Sequence, residues 1–276
     1  MAVEILSYID RKSPIHALSG ATKLAIFLMW STAAMVTYDT RILLFLFALS
    51  IIVFYMSKVK IREVAFVLIF ILVFLLLNNI AIYLFAPQQG VAIYGTSHVI
   101  FEIAGRYNVT WEQLFYHFNV TLKYFVVIPP ALLFIATTHP SEFSASLNKI
   151  GVNYKIAYSV SLAFRYIPDI QRDYRTIAQA QQARGIDLSS NEKLGTRVKN
   201  AVAIVLPLIL TSLDRIEVIS NAMELRGFGK NKRRTWYSYK PFKRMDYIVL
   251  AIGLIILVVS LIITFQGGSR FYNPFI

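Results

Sequence analysis

"VAFVLIFILVFLLLNNIAIYLF", Val64 to Phe85, runs about 22 residues without a charged side chain. At 1.5 Å per residue, a helix of that length crosses roughly 30 Å of hydrocarbon. This one stretch decides the fold, because a chain that carries it is solved in lipid rather than in water. "YIVLAIGLIILVVSLIITF", Tyr247 to Phe265, is a second such run, with Lys243, Arg244 and Asp246 marking where it leaves water. Its Gly253 is ordinary for a transmembrane helix. "LAIFLMWSTAAMVTY", Leu24 to Tyr38, and "ILLFLFALSIIVFYM", Ile42 to Met56, are shorter. Together they read as a helical hairpin turning at Asp39 to Arg41, with Lys23 and Lys58 snorkelling at the ends. "LFYHFNVTLKYFVVIPPALLFIATT", Leu114 to Thr138, makes a fifth span despite Lys123 and the Pro129-Pro130 pair. Prolines are tolerated there when neighbouring helices satisfy the freed carbonyls. Lys123 lies near the outer end and is expected to snorkel, while Asn78 and Asn79 are expected to hydrogen-bond between helices.

The composition requires both lipid and water. Of 276 residues 57% are hydrophobic, the mean hydropathy is +0.57 and the formal net charge is +13. Residues 137 to 245 hold about 18 Lys and Arg against about 8 Asp and Glu, most of the positive excess. Lys and Arg beside spans mark the cytoplasmic side. Arg11, Lys12 and Lys23 before the first span, and Lys58, Lys60 and Arg62 between the second and third, therefore face the cytoplasm. Alternation puts the connection at residues 87–113 outside, and its single basic residue, Arg106, agrees. The N-terminus lacks a basic start, an apolar core and a cleavage site, so no removable signal peptide is expected. The predicted fold class is an all-α integral membrane protein with about five transmembrane helices and long amphipathic cytoplasmic coupling helices. Its organisation is residues 1–136 (four spans), 137–245 (cytoplasmic helices) and 246–276 (last span and short external tail).

Within 137–245, Asn153 caps a helix in which Ala163, Ile167, Ile170, Tyr174 and Ile177 recur at steps of four and three. The same steps land on Gln181 and Arg184. This helix would measure on the order of 47 Å. A second element starts near Asn191 or Glu192, carries a 13-residue apolar segment, "AVAIVLPLILTSL", too short to span, and runs Ser212, Ile216, Ile219, Met223, Arg226 at the same steps. Pro168 and Pro207 should bend the two helices part-way along. Both end alike, with Ala183-Arg184-Gly185 and Leu225-Arg226-Gly227. Helix termination accounts for one Arg-Gly, since glycine takes the left-handed C′ position and a cation suits the last carbonyls. Termination alone does not place arginine on the apolar seam twice. A guanidinium is rigid, permanently charged and able to pair bidentately with a carboxylate. At a protruding tip it makes an anchor for an acidic groove on another protein.

"TTHPSEFSASLNKIGVNYKIAYSVSLAFRYIPDIQRDYRTIAQAQQARGID", "AMELRGFG" and the N-terminal "SPIHALSGATKL" resemble the transmembrane T component of energy-coupling factor (ECF) transporters, the vitamin and metal-ion importers of prokaryotes. The likeness covers almost the whole chain except residues 87–113. It implies that Ala183, Arg184, Gly185, Leu225, Arg226 and Gly227 bind two homologous cytoplasmic ATPase subunits, one motif per subunit. It also implies a membrane-embedded S component that binds the substrate. ATP and Mg would then sit in the ATPases, with no cofactor in this chain. The leucine before Arg226, where alanine is common, bears on which ATPase that tip prefers.

No P-loop, H-E-x-x-H or G-x-S-x-G motif occurs, and the four histidines show no metal-ligand spacing. There is no cysteine, hence no disulfide or zinc-thiolate site. The basic and aromatic run Lys230 to Arg244 borders a span on the cytoplasmic side, which fits anionic headgroups better than nucleic acid. Two other functions fit a membrane chain. An intramembrane lipid-modifying transferase would gather polar groups at one depth in several spans, and a self-sufficient permease would need a polar pocket among them. The distinctive residues instead sit at two cytoplasmic tips.

Overall fold

The computed structural model describes residues 11, 13–104, 107–186, 194–231, 235–236, 240–266 and 270–275. The N-terminal stretch read for a leader, the helix start near Asn191 or Glu192 and parts of the basic run 230–244 lie outside them. Among the described residues the chain is mostly helical: α1 (Pro14–Ala17), α2 (Gly20–Val36), α3 (Thr40–Ser57), α4 (Ile61–Phe85), α5 (Gln89–Tyr94), α6 (Trp111–Thr137), α7 (Pro140–Lys149), α8 (Tyr154–Ala183), α9 (Leu194–Leu225) and α10 (Arg244–Gln266). Two short antiparallel strands, β1 (Val99–Ala104) and β2 (Tyr107–Thr110), stand between α5 and α6. The chain divides into two compact units, Met1–Ser146 with Lys240–Ile276, and Leu147–Tyr239.

In the first unit every predicted span is a helix. α3, α4, α6 and α10 are long and apolar enough to cross a membrane, and α2, with 17 residues, is shorter. α6 packs against α2, α3, α4 and α5. Where it meets α2 and α3, the core is Trp30, Ala33, Ala34, Leu43, Leu46, Leu122 and Val126. Ala33 and Ala34 are fully enclosed, as small residues must be where helix backbones approach closely in lipid. Gly253 of α10 faces α2, where a Cβ would meet the end of the Ile26 side chain, which can swing aside.

Pro129 and Pro130 lie inside α6 without ending it. Pro130 cannot donate to Val126 four residues back. The Trp30 indole N–H donates to that carbonyl at 3.2 Å, so the neighbouring helix supplies the missing donor.

The ends of α2 are held by charges from other elements. At its start, Ser19 N–H donates to Asp246 Oδ1 (2.9 Å) and Gly20 N–H donates to Glu142 Oε1 (2.7 Å). Both carboxylates are buried, and Lys240 Nζ pairs with the second oxygen of Glu142 at 2.9 Å. At its finish, Lys123 Nζ donates to Met35 O at 2.8 Å and lies 3.1 Å from the centre of the Tyr38 ring. Anions at a helix N-terminus and a cation at its C-terminus both complement the macrodipole. Lys123 thus turns inward instead of snorkelling and is buried, with the Met35 carbonyl and the Tyr38 face as its partners.

The connection at 87–113, where hydropathy predicts only a loop, folds into α5 and the β1–β2 hairpin. Gly90 lies so close to the start of α6 that a Cβ would overlap the Glu112 carbonyl. Asn79 donates to Thr121 Oγ1 (3.3 Å) and is paired with His117 Nδ1 (2.8 Å), as expected between helices, whereas Asn78 Oδ1 is buried and accepts no hydrogen bond among the described residues, contrary to the expectation for that residue.

Removing either carboxylate from the α2 N-terminus while keeping its shape tests this construction. Glu142→Gln and Asp246→Asn should each cost about 1–3 kcal/mol. The check is a thermal midpoint in detergent lowered by a few degrees, with Trp30→Phe losing about 1 kcal/mol by the same measure.

Candidate functional site

Both Arg-Gly tips lie in the second unit and share one backbone construction. On α8, Arg184 is the C-cap residue, and Gly185 follows at φ +85°. Ile186 N–H donates back to Gln181 O (3.1 Å) and Gly185 N–H to Gln182 O (2.9 Å). On α9, Gly227 follows Arg226 at φ +66°, Phe228 N–H donates to Met223 O (2.9 Å) and Gly227 N–H to Glu224 O (2.8 Å). Each is a Schellman motif, with paired 6→1 and 5→2 bonds closing the last turn. A Cβ at Gly185 would meet nothing within 4 Å, and one at Gly227 only Lys230 Cδ at 3.5 Å. The glycines are required by the left-handed backbone and not by crowding within the chain.

The side chains before the glycines face outward. Ala183, Arg184, Leu225 and Arg226 are exposed, Leu225 to 90%. A leucine at a helix end that buries almost none of its surface has its apolar surface available to another molecule.

α8 and α9 pack antiparallel. The Tyr158 ring lies tilted against that of Phe228 (ring centres 5.0 Å), Asp173 accepts from Arg215 Nη2 (2.7 Å), and Gln181 Nε2 donates to Ala203 O (3.1 Å), so rising numbers on one helix meet falling numbers on the other. The two arginines are therefore not brought together. They occupy opposite ends of one helix pair, separated along its axis by on the order of 35 Å.

The facing stripe on α8 is Leu162, Tyr166, Asp173, Ile177 and Gln181, one position away from much of the predicted seam. Ile167, Ile170 and Tyr174 of that seam remain 40–47% exposed. On α9, Ser212, Ile219 and Met223 face inward as the spacing predicts, while Ile216 is 60% exposed. Between the helices runs a groove of about 670 Å³ whose walls include Ala163, Ile170, Ile216 and Met223. Pro168 and Pro207 lie inside unbroken helices. Ala203 O is the carbonyl that Pro207 leaves without its helical donor, and Gln181 supplies one. Asp173 and Arg215 carried no signal as single residues. Their pairing depends on a register between helices that one chain's periodicity does not reveal.

A family model described as cobalt transport protein, CbiQ, matches residues 11–237. The chain belongs to the CbiQ family. The match takes in both Arg-Gly tips and stops before α10. Curated relatives named energy-coupling factor transporter transmembrane protein EcfT extend beyond it. That of Bacillus selenitireducens is 26% identical over 97% of this chain and 99% of its own length. The Staphylococcus aureus protein is 22% identical over 94% and 96%. The Limosilactobacillus fermentum protein is 34% identical, but over about half of each chain: 50% of this one and 55% of its own. CbiQ membership and these near full-length relatives put the chain among the transmembrane components of energy-coupling factor transporters, a transport protein and not an enzyme.

Because the space around both glycines is open, their replacement isolates the conformational cost. Gly185→Ala and Gly227→Ala should each destabilise the local cap by about 1–2 kcal/mol. Hydrogen exchange should show faster amides at Ile186 and Phe228, with asparagine at the same positions giving a smaller effect.

Proposed function

We propose that this chain is the lever of an ECF-type importer: Ala183-Arg184-Gly185 docks one cytoplasmic ATPase subunit and Leu225-Arg226-Gly227 docks a second, related one. The observation that carries this reading is the duplicated tip. The same Schellman-capped Arg-Gly ends both helices of one antiparallel pair, at opposite ends of it. Two related docking surfaces presented by two related subunits ask for that arrangement. The guanidinium forks pair with acidic groups in the ATPase grooves, and exposed Leu225 adds an apolar contact at one of them.

In this reading residues 1–136 and 246–276 form the membrane region and residues 137–245 the cytoplasmic coupling region, with the N-terminus cytoplasmic. The pairing of Arg11 with Glu63 and with the Lys58 carbonyl supports the orientation, since it joins the two basic segments that flank the first pair of spans. ATP binding and hydrolysis, with Mg, take place in the partner subunits. Their closing and opening moves the tips, and the helices, bent at Pro168 and Pro207, carry the motion to the membrane. There it reaches a membrane-embedded S component that holds a vitamin or related micronutrient. The exposed apolar face at Ile167, Ile170, Tyr174 and Ile216 supports contact with that component.

Arg184→Ala or Arg226→Ala should lower recovery of the ATPases with the chain, and the double substitution should lower it further. Arg→Lys at either tip should also be impaired, because lysine keeps the charge without the fork. Co-purification and substrate uptake into vesicles read both effects. Unchanged uptake and recovery in the double alanine variant would remove the anchor assignment.

A further inference from the structure

We propose that Asp173 and Arg215 are the fulcrum of the helix pair, an ionic link that sets the register of α8 on α9 and gives the two tips arms of equal length. Asp173 precedes Arg184 by 11 residues, and Arg215 precedes Arg226 by the same 11. In an antiparallel pair this equality puts the link midway between the tips, about 16 Å from each along its own helix. The Arg215 Nη2 to Asp173 Oδ2 distance is 2.7 Å, and the side chains are 37% and 33% exposed, partly withdrawn from solvent on the inward faces.

Around the link, Tyr166 apart, the facing residues are mostly interchangeable in shape: Leu162 and Ile177 on α8, Ile204, Leu208, Ile219 and Met223 on α9. Aliphatic stripes of that kind pack nearly as well after one helix slides by a turn. An ion pair does not, because a slip leaves both half-buried charges without a partner, and polar groups in apolar interfaces are best attested in this registry role. The Gln181 bond to Ala203 O acts in the same direction, since Pro207 frees that one carbonyl and Gln181 reaches it in one register. With the register fixed at the midpoint, a displacement imposed on one tip is matched in size at the other, so the two ATPases act on one body.

The lever role rests on the docking function proposed above, whereas the register can be measured without any ATPase. The chain has no cysteine, so Gln182→Cys and Asn221→Cys accept a spin-label pair at exposed positions beside the tips. In the full chain in nanodiscs, pulsed electron paramagnetic resonance should give one narrow distance distribution. Asp173→Asn and Arg215→Gln should each broaden it or shift it by about 5 Å, one helical turn. The exchange Asp173→Arg with Arg215→Asp should restore the narrow distribution. In the reconstituted transporter the single variants should import several-fold less substrate per ATP hydrolysed with the ATPases recovered in full, and the exchange should regain most of it. Unchanged distances in both single variants, or an exchange that restores nothing, overturn the proposal. So do altered distances with unaltered substrate per ATP, which would leave the pair structural only. Should the tip arginines prove dispensable for assembly while the distances respond as described, the docking function fails and the register assignment stands.

Discussion

The first unit depends on α2 being held at both ends by charges that other elements bring into the membrane region. A helix of 17 residues is about 25 Å long, and its ends, from Ser19 and Gly20 to Thr37, are buried, so its unsatisfied terminal N–H and C=O groups need partners from neighbouring elements. Asp246 and Glu142 accept from the first N–H groups, and Lys123 donates to one of the last carbonyls. Each of these charges would be costly if unpaired in lipid. Each is acceptable where it meets an opposite partial charge that is itself costly to leave alone. The three come from α10, α7 and α6, so finishing α2 also fixes where those helices stand. Packing follows from this. Ala33 and Ala34, both almost wholly enclosed, mark where the helices approach closely.

What the sequence made legible was whatever depends on length and period. The five apolar segments, the two long amphipathic helices and the two Arg-Gly ends all follow from counting residues, and glycine after a last basic residue is a strong stop signal because so few side chains accept a positive φ. What stayed hidden depends on partners distant in sequence. Asp246 looked like a charge marking the edge of a span, yet it is 1% exposed and holds a backbone amide 227 positions away. Lys123 looked like a snorkelling cation because its own helix offers no acceptor, and the acceptor belongs to α2. The helical part of the connection at 87–113 was invisible for another reason: six residues, Gln89 to Tyr94, are too few to show a period.

The α8 seam shows the limit of periodicity. Counting placed one apolar line through Ala163, Ile167, Ile170, Tyr174 and Ile177 and on to Gln181; Ile177 and Gln181 do face α9, but nearer the middle of the helix Leu162, Tyr166 and Asp173 on the adjacent line are more withdrawn from solvent than Ile167, Ile170 and Tyr174. A helix with two neighbouring apolar lines has two faces to cover. Intramolecular packing took the line that includes Asp173 and Gln181, whose polar groups find partners on α9. Ile167 and Tyr174 were left exposed, and Ile170 stands at the open groove between the helices, which is the arrangement suited to a subunit of a larger assembly. Apolar contacts to another chain tolerate adjustment, whereas polar contacts inside this one fix the geometry.

The prolines obey the same logic in both units. Proline inside a helix removes one donor and leaves one carbonyl, four residues back, that must find another. For Pro130 the donor is the Trp30 indole, and for Pro207 it is the Gln181 amide. In each case it reaches across from a neighbouring helix. A regular helix satisfies its own backbone and gives a neighbour no particular register. A helix with proline exposes one acceptor at one height, and the neighbour that answers it is fixed at that height. The four internal prolines, which sequence logic reads as defects to be tolerated or as bends, thus include at least two at which one helix is keyed to another.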